Sequence, residues 1–234
     1  KGRNKGNGRK RCALDSQEKI EHFYFTIQGW FNYHDVYDMA LGWFGDGSHF
    51  VEVGSWKGRS SAYMATNIHN SGKKIRLDCV DTWKGSWEHH LSDEDVDKHF
   101  PDEGSRWQMK NLKKKDLFGQ FTRNIKPVRH VITPVRMTSV KAAKRYDDKS
   151  LDFVFMDGAH DEKNVYQDLS AWMPKLKDTG VIAGDDFIQQ GVRLGLKKYA
   201  AEHGDFEMCF GANIMTCWIR VNEKTKQHWR TPLT

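Results

Sequence analysis

Asp157 and the adjoining pair Asp185-Asp186 are the acids whose spacing could do chemistry. Each closes an apolar run, LDFVFMD and GVIAGDD, and one helical stretch lies between the runs. Parallel strands joined by one crossover helix are commonly neighbours, about 4.8 Å apart. The three carboxylates are therefore expected at one edge. Crowded anions repel, so either some are protonated or a cation sits among them. Oxygen-only ligands favour a hard ion, Mg²⁺, Mn²⁺ or Ca²⁺. The plainer use of such an acid is to cap a helix or bind solvent. His160 follows Asp157 by three residues, on the loop into the helix. Imidazole takes a proton near neutral pH, which makes His160 a general-base candidate. A loop histidine by itself is an ordinary surface residue; the neighbouring acids argue for more.

A second group is Glu52-Val53-Gly54-Ser55-Trp56-Lys57-Gly58-Arg59-Ser60. A strand ends in an acid, and glycines then let the backbone turn tightly beneath a ligand before a helix starts. The next strand, IRLDCVD, ends at Asp81. A carboxylate there can accept hydrogen bonds from both hydroxyls of a ribose, so the two features together point to a nucleoside-containing ligand. The spacing is not GxGxxG, which argues against a nicotinamide cofactor.

These groups need a frame that brings strand ends together. SHFVEV, IRLDCVD, VRHVIT (128–133), LDFVFMD and GVIAGDD read as strands, with helices after Ser60 and Ser139 and over 192–203. Gly72 is placed to cap the first of these helices. LDFVFMD is nearly all apolar, as a strand buried on both faces should be. Val165, Leu169, Trp172 and Leu176 make one apolar helical stripe. FEMCFG and IMTCWIRV are close enough for an antiparallel hairpin that closes a seven-stranded sheet. Strands alternating with helices imply a mostly parallel sheet covered on both faces, an α/β fold. Residues 16–44 read as aromatic-rich helices, either packed across the domain or serving as a lid. Residues 83–127 break the rhythm and read as an edge insertion near an acceptor site; His89, His90 and His99 there are substrate-edge or solvated residues.

The net charge of +6 is local. Residues 1–11 hold six of the 37 basic residues and no acid, leaving 31 bases against 31 acids. Residues 1–15 therefore read as a disordered, solvated basic tail rather than a folded basic face. Cys12, Cys79, Cys209 and Cys217 form no CxxC pair, which disfavours a zinc site. No run reaches the roughly 18 apolar residues of a membrane helix, and no signal-peptide pattern stands at the N-terminus. The expected setting is a reducing cytoplasm, with no membrane partner.

HFVEVGSWKGRSS, LDCVDTWKGS and LDFVFMDGAH…DLSAWMPKLKDTGVIAGDDF together resemble the class I S-adenosylmethionine-dependent methyltransferases of the catechol O-methyltransferase-like kind. Within that kind they look most like the metal-dependent small-molecule and sugar O-methyltransferases of bacteria, antibiotic pathways and phages. The likeness spans about residues 48–190. It implies a Rossmann-like domain over 16–234 and an O-methyltransferase activity using S-adenosylmethionine. It places Glu52, Gly54, Ser55, Gly58 and Ser60 around the amino-acid end of that cofactor, with Asp157 close by. Asp81 would hold the ribose with Trp83 nearby, and Thr138 and Ser139 would lie near the adenine. Asp157, Asp185 and Asp186 would bind a divalent metal, and His160 with Asp157 would be catalytic. Catechol enzymes have lysine where this chain has His160, and Asp-Asn where it has Asp185-Asp186. Macrolide sugar methyltransferases have a similar Asp-x-x-His, so a sugar-like diol is favoured over a catechol. Two rivals stand: methylation of RNA through the basic tail, and a non-catalytic module that only binds the cofactor.

Overall fold

The strand ends that carry the acids meet because the sheet reverses direction between β1 and β4. The computed structural model describes residues 18–85, 92–99, 102–112, 116–204, 208–210, 218–220 and 222. The basic tail 1–15 lies outside the described residues. The strands are β1 (His49–Val53), β2 (Arg76–Asp81), β3 (Ile132–Arg136), β4 (Leu151–Met156), β5 (Leu176–Gly184), β6 (Met208–Phe210) and β7 (Trp218–Arg220). Among the described residues they form one seven-stranded sheet in the order β3-β2-β1-β4-β5-β7-β6. β1 to β5 run parallel, and β7 pairs antiparallel with both β5 and β6. The chain steps outward from β1 to β3 and then returns to place β4 on the other side of β1. A crevice opens at the carboxyl ends of strands at such a reversal.

The helices are α1 (His34–Trp43), α2 (Arg59–Ser71), α3 (Asp93–His99), α4 (Glu103–Leu112), α5 (Leu117–Asn124), α6 (Ser139–Ala143), α7 (Glu162–Trp172) and α8 (Gln190–His203). Alternate strand residues face opposite layers. Phe50, Phe153 and Phe155 join a core with α1, α2 and α5. Val51, Val154 and Met156 join a second core with α6, α7 and α8. Both cores are dry and aromatic, and both are closed by large, fully buried rings such as Trp172 and Phe121.

Four sequence expectations are corrected. The third strand begins at Ile132 rather than Val128, because Lys126–Val128, with Pro127, makes a tight helical turn whose Val128 is buried. Pro134 is tolerated within β3 because β3 is an edge strand. Leu176 opens β5 instead of extending the α7 stripe, since Pro174 turns the chain just after Trp172. Residues 18–33 are mostly extended rather than helical, apart from a single turn at Tyr24–Thr26. Residues 117–128 are not peripheral: Leu117, Phe121, Ile125 and Val128 belong to the first core.

The extended segment lies along one stripe of α2. Asn70 accepts from the Ile20 amide at 2.9 Å and donates to its carbonyl at 2.8 Å. Asn67 pairs with the His22 ring, and His22 stacks on Tyr63 with centroids 4.9 Å apart. Arg59 donates to the Gly29 carbonyl at 2.6 Å. Positions 59, 63, 67 and 70 share a helix face, so one row of side chains supplies the partners that the extended backbone lacks. The strap so formed delivers residues 29–33 to the crevice.

Candidate active site

At the β1–α2 turn the backbone must come very close to β4. The Gly54 amide donates to the Val80 carbonyl at 2.8 Å, and the Asp157 amide donates to Val53 at 2.7 Å. Gly54 has φ +95°, and a Cβ on it would lie 1.8 Å from the Asp157 carbonyl oxygen. Only glycine fits. Gly58, at φ +86°, is the N-cap of α2 and makes no side-chain cap. A Cβ there would press on Phe121 and Ile125 at 3.0 Å. The turn is thus shaped by β4 on one side and α5 on the other.

Asp81 ties this turn to the next loop. Its carboxylate accepts from the Trp56 amide at 2.8 Å and the Trp83 amide at 2.6 Å. The Trp83 indole donates to the Trp56 carbonyl at 2.7 Å. Trp56 and Trp83 both adopt positive φ, 41° and 48°. Burial raises the Asp81 pKa, and the two amides oppose that rise. Each oxygen retains a lone pair, so Asp81 can still receive a ligand's hydroxyls.

The carboxyl ends of β4 and β5 carry the charged cluster. Among the described residues, Asp157, His160 and Asp186 have ligand atoms all within 4.8 Å of one another. His160 Nε2 lies 2.8 Å from Asp186 Oδ2 and 3.9 Å from Asp157 Oδ1. The near contact with Asp186 lacks the alignment of a hydrogen bond. Burial pulls the His160 pKa down, but bonding and charge from Asp157 and Asp186 outweigh it and raise it to about 10. Burial pulls Asp186 up, and His160 outweighs this to leave it lowered. Asp185 lines the cleft but stands outside the cluster. Asp186 has φ +58°, and Gln189 donates its amide to the Asp186 carbonyl at 2.8 Å. The left-handed residue turns the chain between two consecutive acids. The third member of the cluster is therefore the histidine rather than a third carboxylate.

Tyr33, at the start of α1, donates to Asp157 Oδ2 at 2.9 Å and is almost wholly buried. Burial first, then the Asp157 charge, holds the Tyr33 hydroxyl well above its ordinary pKa, so it stays a donor. One turn later, Tyr37 donates to Glu52 Oε2 at 2.9 Å, and Ser61 donates to Oε1 at 2.6 Å. Glu52 is 1% exposed. Burial pushes its pKa to about 7 against the pull of these donors. Sequence spacing did not reveal Tyr33, which is 124 positions from Asp157. The one hint was two tyrosines a helical turn apart in an aromatic segment.

One open cleft of about 1680 Å³ contains both groups. Gly54, Ser55, Ser60 and Asp81 line it, as do Thr138, Ser139, Asp157, His160, Asp185 and Asp186. Glu52, Gly58 and Trp83 lie behind the lining: Glu52 under the turn, Gly58 against α5, and Trp83 packed on Phe118 and Phe121. At the mouth, Trp30, which is 62% exposed, stacks on Trp56 at 5.5 Å. His99 also lines the cleft, whereas His89 and His90 lie outside the described residues.

A family profile described as a methyltransferase domain matches residues 51–187. No curated protein sequence matches the chain. Among solved structures, the O-methyltransferase NovP is similar at TM-score 0.56 and 16% identity, covering 81% of this chain and 78% of that one. A Clostridium thermocellum protein named for an unproven rRNA-methylase activity is similar at 0.54 and 11%, covering 84% and 99%. A methyltransferase from Geobacter sulfurreducens follows at 0.52 and 13%, covering 84% and 81%. These likenesses establish the fold. No helix among the described residues is long and apolar enough to cross a membrane.

Proposed function

The chain belongs to the methyltransferase domain family, and from that premise we propose that it transfers a methyl group from S-adenosylmethionine to a hydroxyl oxygen of a small-molecule or sugar acceptor with neighbouring oxygens. The observation that carries this reading is the shared cleft. The Gly54 turn and Asp81 stand at one end, and Asp157, His160 and Asp186 stand beside them at the β4 and β5 ends.

On the donor side, the uncapped amides at the start of α2 suit the carboxylate of the methionine moiety. Asp81 suits the ribose hydroxyls. The sulfonium methyl then points toward Asp157. Transfer is an in-line displacement: the carbon–sulfur bond breaks as the oxygen–carbon bond forms, and the thioether leaves neutral. The hydroxyl proton goes to the Asp157–His160 pair. His160 accepts it only once the two acids are neutralised by something other than its own proton, because that pair is what holds its pKa near 10.

The cluster fits a divalent metal. Three ligand atoms converge, and the His160–Asp186 contact is close without being a well-formed hydrogen bond. One nitrogen beside two carboxylates suits Mn²⁺ better than Ca²⁺, with Mg²⁺ still compatible. Such an ion would gather two neighbouring acceptor oxygens and lower the pKa of the attacking hydroxyl.

The test is incubation of the full chain with methyl-labelled donor and either sugars bearing adjacent hydroxyls or RNA, with and without chelator. Label in the sugars, lost in chelator and restored by Mn²⁺ or Mg²⁺, is expected. Full transfer in excess chelator sinks the metal reading. Label confined to RNA transfers the case to the nucleic-acid rival.

A further inference from the structure

Asp168 is the charged group in the cleft that the proposed reaction leaves without work. It sits on α7 beside Val165, Leu169 and Trp172, the buried stripe of that helix. It is 6% exposed, yet it lines the cleft. A carboxylate on the apolar face of a helix is unfavourable unless something pairs with it.

Its surroundings in the protein supply little. The Trp172 indole donates to Ser139 Oγ at 2.8 Å. The serine's own proton is then free to point at Asp168, its hydrogen-bonding neighbour. Among the described residues no further donor reaches Asp168. Burial raises its pKa to about 6, against the pull of Ser139, so it is ionised and an acceptor at neutral pH. Apolar Val140, Ala143 and Ala171, from the same two helices, line this end of the cleft. The result is a flat apolar slot with an acceptor-only group at its edge, at the end beyond Asp81. A purine with an exocyclic amine suits such a slot: the ring takes the apolar walls and the amine supplies the missing donor.

Resting on the methyl-donor reading above, we propose that Asp168, held by Ser139 and Trp172, accepts a hydrogen bond from the exocyclic amine of the donor's adenine and makes the enzyme specific for that base. Asp168 is then a specificity residue and takes no part in methyl transfer.

The experiment is calorimetry with S-adenosylhomocysteine and S-inosylhomocysteine, in which an oxygen replaces the amine. Wild type, Asp168→Asn and Asp168→Ala are compared, with thermal unfolding of each. Wild type should prefer the adenine form by roughly 10–100-fold, the equivalent of one charge-assisted hydrogen bond. Asp168→Ala should lose that preference. Asp168→Asn keeps the shape and can turn its own NH₂ toward the inosine oxygen, so its preference should narrow or reverse. The inference is overturned if both variants keep the wild-type preference. It is equally overturned if they weaken both compounds alike, which would make Asp168 a strut between α6 and α7. A wild-type protein that binds neither compound refutes the methyl-donor reading itself, and this inference with it.

Discussion

At the scale of single residues, the site depends on acids whose second oxygens are already committed. Tyr33 takes Asp157 Oδ2, leaving Oδ1 toward His160. Tyr33→Phe should leave donor affinity unchanged and weaken Mn²⁺ binding about tenfold, since a hydrogen bond to a charged group contributes roughly 1.5–3 kcal/mol. A metal titration followed by turnover checks this, and an unaltered Mn²⁺ dependence would show that Tyr33 only packs. His160 has two readings, proton acceptor and ligand. For His160→Ala at saturating Mn²⁺, turnover should remain roughly 10²–10⁴-fold low if it is the base. Recovery to the wild-type rate on raising Mn²⁺ would leave it a ligand alone.

At the scale of elements, two short pieces govern the cleft. The β1–α2 turn passes so close to β4 that Gly54→Ala is strained in both dihedral and contact. The variant should be destabilised by at least about 2 kcal/mol, with donor binding lost in whatever fraction folds. Denaturant unfolding at wild-type stability would mean that β4 moves aside freely. The second piece is the strap on α2. Asn70→Ala removes both bonds to Ile20, which is worth about 1–2 kcal/mol in total. Amide exchange around Ile20 should quicken accordingly while β1 and β4 stay protected. Unchanged protection would show that aromatic packing by Tyr24, Phe31 and Tyr63 holds the strap unaided.

For the whole molecule, Glu52 couples folding to pH. Its pKa rises from 4.5 to about 7 on folding because it is buried beneath the turn. The folded state therefore binds more protons between those values, and stability falls as pH rises through the window. It is fully present below 4.5 and at its lowest above 7. Glu52→Gln removes the penalty, so the variant should gain on wild type across this range by up to roughly 3 kcal/mol. Unfolding free energies measured at several pH values should diverge in that window; a constant difference would mean that Glu52 titrates elsewhere.

Much of this was legible in the chain itself. Five apolar runs ending in acid or glycine dictated a parallel sheet with its chemistry at the strand ends, because side-chain periodicity and the strand–helix rhythm are local properties. The Gly54 turn, Asp81, and the nearness of Asp157 to His160 and Asp186 followed from the same reading. Other features were decided only by the tertiary structure. The strap is extended despite its aromatic, helix-like pattern, because Arg59, Tyr63, Asn67 and Asn70 offer it partners that no local pattern announces. His160 rather than Asp185 completes the cluster because a single left-handed residue, Asp186, turns the chain between two acids that look equivalent in sequence. Tyr33 meets Asp157, and Asp168 meets the cleft, across separations along the chain or layers of packing that spacing cannot measure. Sequence periodicity fixes which face a residue takes on its own element; which other element lies opposite that face is settled only when the layers close.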